Sequence, residues 1–266
     1  WLAANTKAGD VIGVDGQVLG LGAFRALSAA AASSGAVLEI REDLLDEVWP
    51  DRAGLPDARI YEHVAPDACV SRADKLAQVR EAMRGHRADA HFISTLDDIA
   101  WLFNLRGADV DYNPVFVGHA LVGLDHATLF VADGKVDDGL RAVLARDGVD
   151  VAGYAQAADA LASLELDQTL LIDPARVTCG VFHAMDPAVP RVEAINPSTL
   201  LKSRKTDAEL ANVRQAMAQD GAALCEFFAW FEAALGNEAI TELTIDDRIT
   251  AARARRPGYV CPSFAT

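Results

Sequence analysis

The stretch from Leu96 to Phe116, L-D-D-I-A-W-L-F-N-L-R-G-A-D-V-D-Y-N-P-V-F, gathers the side chains most able to do chemistry. Asp97, Asp98, Asp109 and Asp111 could supply the paired carboxylates that acid-base catalysis needs. Asp98, however, stands three residues after Thr95, where it serves as the acidic partner in a capping box opening a helix. Like charges this close on a surface turn need no catalytic role. Asp109-Val-Asp111-Tyr-Asn113 imitates the start of a calcium loop, which requires Gly at position six and Glu at position twelve. Pro114 and Ala120 stand there instead, so the motif fails twice. Proline fixes its own φ and pushes its predecessor toward extended geometry, so Asn113-Pro114 is expected to start a strand.

Other candidate chemistry is thinner. His63, His86, His91, His119, His126 and His183 are scattered, with neither the i, i+4 pairing nor a carboxylate placed so as to suggest a metal site. His91 and His119 lie in strand-like runs and read as core or sheet-face residues. Cys69, Cys179, Cys225 and Cys261 are far apart and form no C-x-x-C, which suits unpaired thiols in a reducing compartment. Gly16, Gly20 and Gly22 sit between a strand and a helix, but their spacing matches no phosphate-binding loop and no Lys follows. They read as turn glycines. No G-x-S-x-G turn exists to present a nucleophile. Trp101, Phe103, Tyr112 and Phe116 read as core packing rather than a ligand pocket.

Composition narrows the classes. The chain has 266 residues, 51% apolar and 24% charged, enough for two modest domains or one large one. Asp and Glu number 39 against 24 Lys and Arg, and the net charge of -15 opposes binding to nucleic acid or anionic membranes. No run approaches the roughly 20 apolar residues of a bilayer span. The chain opens on Trp1 without a basic, apolar leader, so no secretory signal is expected and truncation is.

The elements alternate. A strand at Val11 to Asp15, an Ala-rich helix from Gly22 to Ser34 and a strand from Val37 to Ile40 form one β-α-β unit, followed by a Pro-rich linker from Trp49 to Pro56. Two strands cannot bury both faces, so this opening is expected to belong to a larger domain. Ser71 to Asp74 and Thr95 to Asp98 read as capping boxes. Helices at Asp137 to Ala145 and Gln156 to Leu164 interleave with strands at His91 to Ser94, Leu170 to Ile172 and near Val149 and Val192. A hairpin joins Val115 to Val122 with Ala127 to Val131. This is an α/β pattern with a mixed sheet covered by helices on both faces. Thr206 to Glu209 is a third box, opening a helix with a stripe of Leu210, Val213, Met217, Leu224, Phe228, Phe231 and Leu235. Thr244 to Asp247 is expected to start a further helix that Pro257-Gly258 stops.

The segment from Leu96 to Phe116 resembles a signature of Xaa-Pro aminopeptidases, metallopeptidases of the creatinase and prolidase superfamily. Glu39 to Pro50, Ser71 to Val79, Leu200 to Ala222, Trp230 and Thr241-Glu-Leu-Thr244 are similar to further stretches of that family, in register over nearly the whole chain. The resemblance implies a fragment in three parts: 1–56, the end of a first creatinase-like domain with its linker; 57–197, a complete middle creatinase-like domain; and 198–266, the opening helices of a pita-bread domain. It implies a parent enzyme that releases an N-terminal residue preceding proline, with two divalent ions, commonly manganese, and a peptide substrate. A cytoplasmic homo-oligomer is expected. The family's two Asp, one His and two Glu ligands would lie downstream of Thr266 and its D-G-R-Y segment ahead of Trp1. No residue here is therefore assigned a catalytic, cofactor-binding or metal-binding role, and the chain alone is expected to be inactive. Where the family usually reads G-P-S-F-D-T, this chain reads C-P-S-F-A-T from Cys261 to Thr266. A second reading is a non-catalytic binding module that kept the fold.

Overall fold

The computed structural model describes residues 1–41, 43 and 45–264. The signature-like stretch beginning at Glu39 and the tail ending at Thr266 each run partly outside these residues.

After a single turn, α1 (Leu2–Asn5), strands β1 (Val11–Gly13) and β2 (Val37–Glu39) pair in parallel around α2 (Leu21–Ala32), the expected β-α-β unit with a sheet of two strands. Val11 and Val37 face each other in register and both are exposed. The next strand, β3 (Tyr61–Glu62), pairs antiparallel with β5 (Leu105–Arg106). Helix α3 (Arg72–Gly85) begins where expected, because the Ser71 hydroxyl accepts from the Asp74 backbone N–H.

A mixed six-stranded sheet forms the centre, in the order β10-β9-β4-β6-β7-β8. Its members are β4 (Ala90–Ile93), β6 (Gly118–Gly123), β7 (Ala127–Val131), β8 (Val149–Gly153), β9 (Leu170–Ile172) and β10 (Arg191–Glu193). The hairpin β6-β7 is antiparallel, as is β4 against β6, while β7-β8, β4-β9 and β9-β10 are parallel. Strand β6 starts at Gly118, four residues beyond Pro114, so the strand expected from Asn113 begins late.

Alternation sorts the strands' side chains between two cores. Ile93, Ala120, Val122, Leu129 and Leu171 pack with Leu76, Val79 and Met83 of α3, with α4 (Leu96–Leu102) and with α5 (Asp138–Arg146). Phe92, Phe130, Leu170 and Ile172 pack on the other face with α6 (Gln156–Ala162) and α7 (Cys179–His183). Burying each such side chain contributes about 1.5–3 kcal/mol, which is what holds the sheet between its helices.

The opening segment shares the second core. Leu21 of α2 is 1% exposed within it, and Arg25 forms a two-pronged ion pair with Glu193 of β10. The backbones meet closely: Gly180 N–H donates to the Gly16 carbonyl at 2.7 Å, and Leu21 N–H to the Val177 carbonyl at 2.9 Å. A Cβ on Gly180 would stand 2.8 Å from the Gly16 carbonyl, so glycine is needed for this approach. Gly16 of the opening turn thus serves a contact with α7.

Past β10 the chain is helical: α8 (Pro197–Ser203), α9 (Asp207–Ala234) and α10 (Glu242–Ala254). The Thr206–Glu209 box forms in full. The start of α10 differs from expectation: Thr241, not Thr244, is the cap, its hydroxyl accepting from Thr244 N–H. The apolar stripe of α9 is largely uncovered. Leu210, Val213, Met217, Phe228 and Leu235 are exposed, and only Ala223 and Ala234 of the helix are buried, on the side of α10.

Candidate functional site: a short helix anchored at both ends

Helix α4 is less than two turns of chain with a buried charge at each end. Its first turn carries Asp97 and Asp98, where carboxylates favour the positive helix terminus. The expected Thr95 box does not form. Thr95 makes no capping bond, and its hydroxyl instead accepts from Asn196 Nδ2 at 3.2 Å. The physical reason is competition from α8. Asp98 Oδ2 accepts from Thr199 Oγ1 at 2.5 Å and from Asn196 Nδ2 at 3.3 Å, while Lys202 Nζ lies 2.8 Å from Oδ1. A fully buried carboxylate takes charged and hydroxyl partners ahead of a local backbone bond. Lys202 also pairs with Asp97. Burial works against the Lys202 ammonium, but Asp97 and Asp98 more than offset it and raise its pKa.

At its other end α4 presents the unpaired carbonyls of its last turn, and cations meet them. Lys75 Nζ donates to the Trp101 carbonyl at 2.9 Å and to Asn104 Oδ1 at 2.6 Å, with its ammonium 4.4 Å from the Trp101 ring centre. Arg106 donates to the Ala100 carbonyl at 3.1 Å. Burial pulls the Lys75 pKa down to about 8 and lowers that of Arg106 as well. Asn104 sits at φ 52°, the left-handed conformation that ends helices and that Asn tolerates. Its Nδ2 donates to the Val70 carbonyl and its own carbonyl accepts from His63 N–H. Beside it, Arg72 is buried and joins the Phe103 carbonyl, Asp147 and Glu62. The order D-D-I-A-W-L-F-N-L-R is thus a helix whose two termini are both neutralised from elsewhere in the fold.

The second half of the segment is a structural turn. Asp109 and Lys135 form a pair at 2.5 Å with both side chains 0% exposed, and Asp109 Oδ2 also accepts from Val117 N–H. Lys135 Nζ reaches the Pro56 carbonyl, tying the linker to the sheet. Gly107 passes so close to Phe116 that a Cβ would stand 2.8 Å from the Phe116 Cβ. Asp111 is exposed and joins none of this. The four carboxylates therefore do not converge. Of the aromatic group, Phe103 and Phe116 are core, Trp101 covers Lys75, and Tyr112 is 42% exposed.

The histidines take separate places. His91 is wholly buried with Nδ1 3.0 Å from the Leu171 carbonyl, and His119 stacks between Phe92 and Tyr154 with Nδ1 2.9 Å from Ser94 Oγ. Burial pushes both imidazole pKa values down to about 4. Cys69, Cys179, Cys225 and Cys261 are unpaired thiols. Among the described residues no three His, Cys, Asp or Glu side chains are grouped to hold a metal ion. The described residues thus present no cluster that fits a two-metal centre. What they do is hold α4 at its start against α8 and at its end against α3. Lys75, Arg72, Asn104, Thr199 and Lys202 carry that role and were not singled out by type or spacing; only the paired Asp97-Asp98 hinted at it.

Comparison with known proteins fits this picture. Residues 51–209 match the creatinase/prolidase N-terminal domain. The Xaa-Pro aminopeptidase ApepP of Drosophila melanogaster is 30% identical over all of this chain and 44% of its own length. A probable Xaa-Pro aminopeptidase P of Botryotinia fuckeliana is 32% identical, with 42% of its length covered. The crystal structure of the Caenorhabditis elegans X-prolyl aminopeptidase, described as a cytosolic enzyme with a di-nuclear active site, superposes on 99% of this chain with a TM-score of 0.89 at 25% identity; 44% of that chain is covered. This chain thus spans less than half the length of the relatives it matches. With more than half of its residues matching the domain profile, the chain belongs to the creatinase/prolidase N-terminal domain family.

Proposed function

We propose that this chain is the non-catalytic portion of an Xaa-Pro aminopeptidase, the part that carries and orients a metal-dependent peptidase domain. The observation that carries the reading is the superposition of nearly the whole chain, at TM-score 0.89, on an X-prolyl aminopeptidase. In this reading the longer protein removes an N-terminal residue that precedes proline. Two divalent ions, manganese by family resemblance, would be held outside the described residues and would supply Lewis-acid activation of water. The partition into 1–56, 57–197 and 198–266 belongs to the same reading, as do a cytoplasmic site of action and a homo-oligomeric state. No helix among the described residues is long and apolar enough to cross a membrane.

A chimera tests it. Residues 1–266 are joined to the remaining portion of the Drosophila relative and assayed with a proline-containing tripeptide and manganese, beside the 266-residue chain alone. The expected result is release of the N-terminal residue by the chimera and none by the chain alone. A folded, metal-loaded chimera without turnover, or turnover by purified chain alone, overturns the reading.

A further inference from the structure

The joint between the middle unit and its helical extension has an unequal distribution of bonds. On one side, α8 is locked into the middle unit by Asp98, through Asn196, Thr199 and Lys202, and by Asp173, which accepts from Asn196 N–H. Pro197 and Ser198 are buried and Leu201 packs on the first core. On the other side, α9 and α10 are tied to each other by Asp220 with Arg253 and by Glu226 with Arg255 and Arg256, and Arg248 covers the Trp230 ring. Between them run Arg204, in extended backbone, and Lys205, whose ammonium donates to the Lys202 carbonyl; both are exposed. Thr206 then starts α9 with its own complete capping box, so the helix takes no terminal bond from α8. Among the described residues, one side chain of α9 hydrogen-bonds to the middle unit: Asn212 Nδ2, 3.0 Å from the Pro66 carbonyl and 3.3 Å from Cys69 Sγ. Glu209 adds a through-space attraction felt at Lys75.

We infer that the chain hinges at Arg204–Thr206, after α8 rather than before it, and that Asn212 on Pro66 and Cys69 is the latch that fixes the angle of the α9–α10 pair. Two rigid bodies with a short exposed connector move about that connector unless a contact spans it. Here one neutral hydrogen-bonding side chain spans it, so the closed arrangement predominates while that contact is made and its removal frees the helical pair. The latch would set how far the helical pair, and whatever continues from it, stands from the sheet. This goes beyond the peptidase reading and does not depend on it.

The test uses the whole 266-residue chain with spin labels, carried by non-canonical amino acids, at exposed positions Ala142 of α5 and Glu232 of α9. The wild-type chain is expected to give one narrow distance distribution. Asn212→Ala should broaden it at least twofold. Asn212→Cys, oxidised so that the new thiol bonds to Cys69 and mapped by mass spectrometry, should restore the narrow width, and reduction should broaden it again. Hydrogen exchange supplies the second reading: α8 should stay as protected as β4 in Asn212→Ala, and should open at least tenfold in Asp98→Asn. A width unchanged by Asn212→Ala, or α8 exchanging in step with α9 in the wild type, overturns the proposal. Neither measurement uses a substrate, so failure here is separate from failure of the peptidase reading.

Discussion

Lys135 and Asp109 put two opposite charges where water cannot reach either, and the direction of a mutation's effect follows from that geometry. Removing one partner strands the other charge in the interior, at about 3–5 kcal/mol, whereas replacing both with apolar groups of similar volume is close to neutral. Lys135→Met is therefore expected to lower the unfolding free energy by about 3 kcal/mol in a urea titration, and Lys135→Met with Asp109→Leu to recover most of it. Equal losses in the two variants would mean that the pair is not the controlling interaction. The buried imidazoles give a pH prediction. Burial holds His91 and His119 at about 4, below the ordinary value of 6.5 that the unfolded chain keeps. The unfolded state thus binds more protons between these limits. Stability is complete above about pH 6.5 and is lost as the pH falls toward 4, by up to about 3 kcal/mol per group. His119→Phe should keep the ring packing against Phe92 and Tyr154 and visibly flatten the stability profile between pH 6.5 and 4. An unaltered slope would show that His119 does not contribute to it.

At the scale of elements, α4 and α2 are each held by something other than their own sequence. Helix α4 is too short to be stable alone; Lys75 of α3 and Arg106 of β5 meet the carbonyls at its end, and Lys202 of α8 meets the carboxylates of its own first turn. Helix α2 depends on the Gly16–Gly180 contact, because the backbone approach that seats Leu21 leaves no room for a Cβ. Gly180→Ala is expected to destabilise the protein by about 1–3 kcal/mol through overpacking. It should also raise hydrogen exchange in 11–32 well above that in β4 and β6. If exchange rose evenly over the whole sheet, the contact would be part of the central core rather than a docking point.

At the scale of the whole molecule, the long helix α9 exposes Val213, Met217 and Phe228 along one length of chain, in a protein whose net charge is -15. Apolar surface of this extent drives association, while like charge opposes it. Concentration-dependent self-association that strengthens with added salt is expected in sedimentation velocity. Met217→Ser with Phe228→Ser should weaken it, and a chain ending at Lys205, which keeps α8 on Asp98, should remain monomeric. A monomer at every concentration and salt level in all three would show that the stripe attracts no second copy.

The sequence by itself determined the elements whose causes are local. The Ser71 cap, the Thr206–Glu209 box, strands β4 and β7 and the span of α9 all arise from groups a few residues apart, and all appear where expected. The resemblance around Leu96 to Phe116 pointed to the family without revealing why those residues recur. Only the tertiary structure decided the partners. Asp98 could have served Thr95, three residues away, but Thr199, 101 residues on, presents a hydroxyl to the same carboxylate, with Lys202 supplying the charge. The same holds for the short helices α7 and α8 that no side-chain cap announces and for Gly16 against Gly180, whereas Thr241 over Thr244 is a choice between two local caps. A local bond is written in spacing. A buried charge is satisfied by whichever donor the packed fold brings within reach, and chain order does not encode that distance.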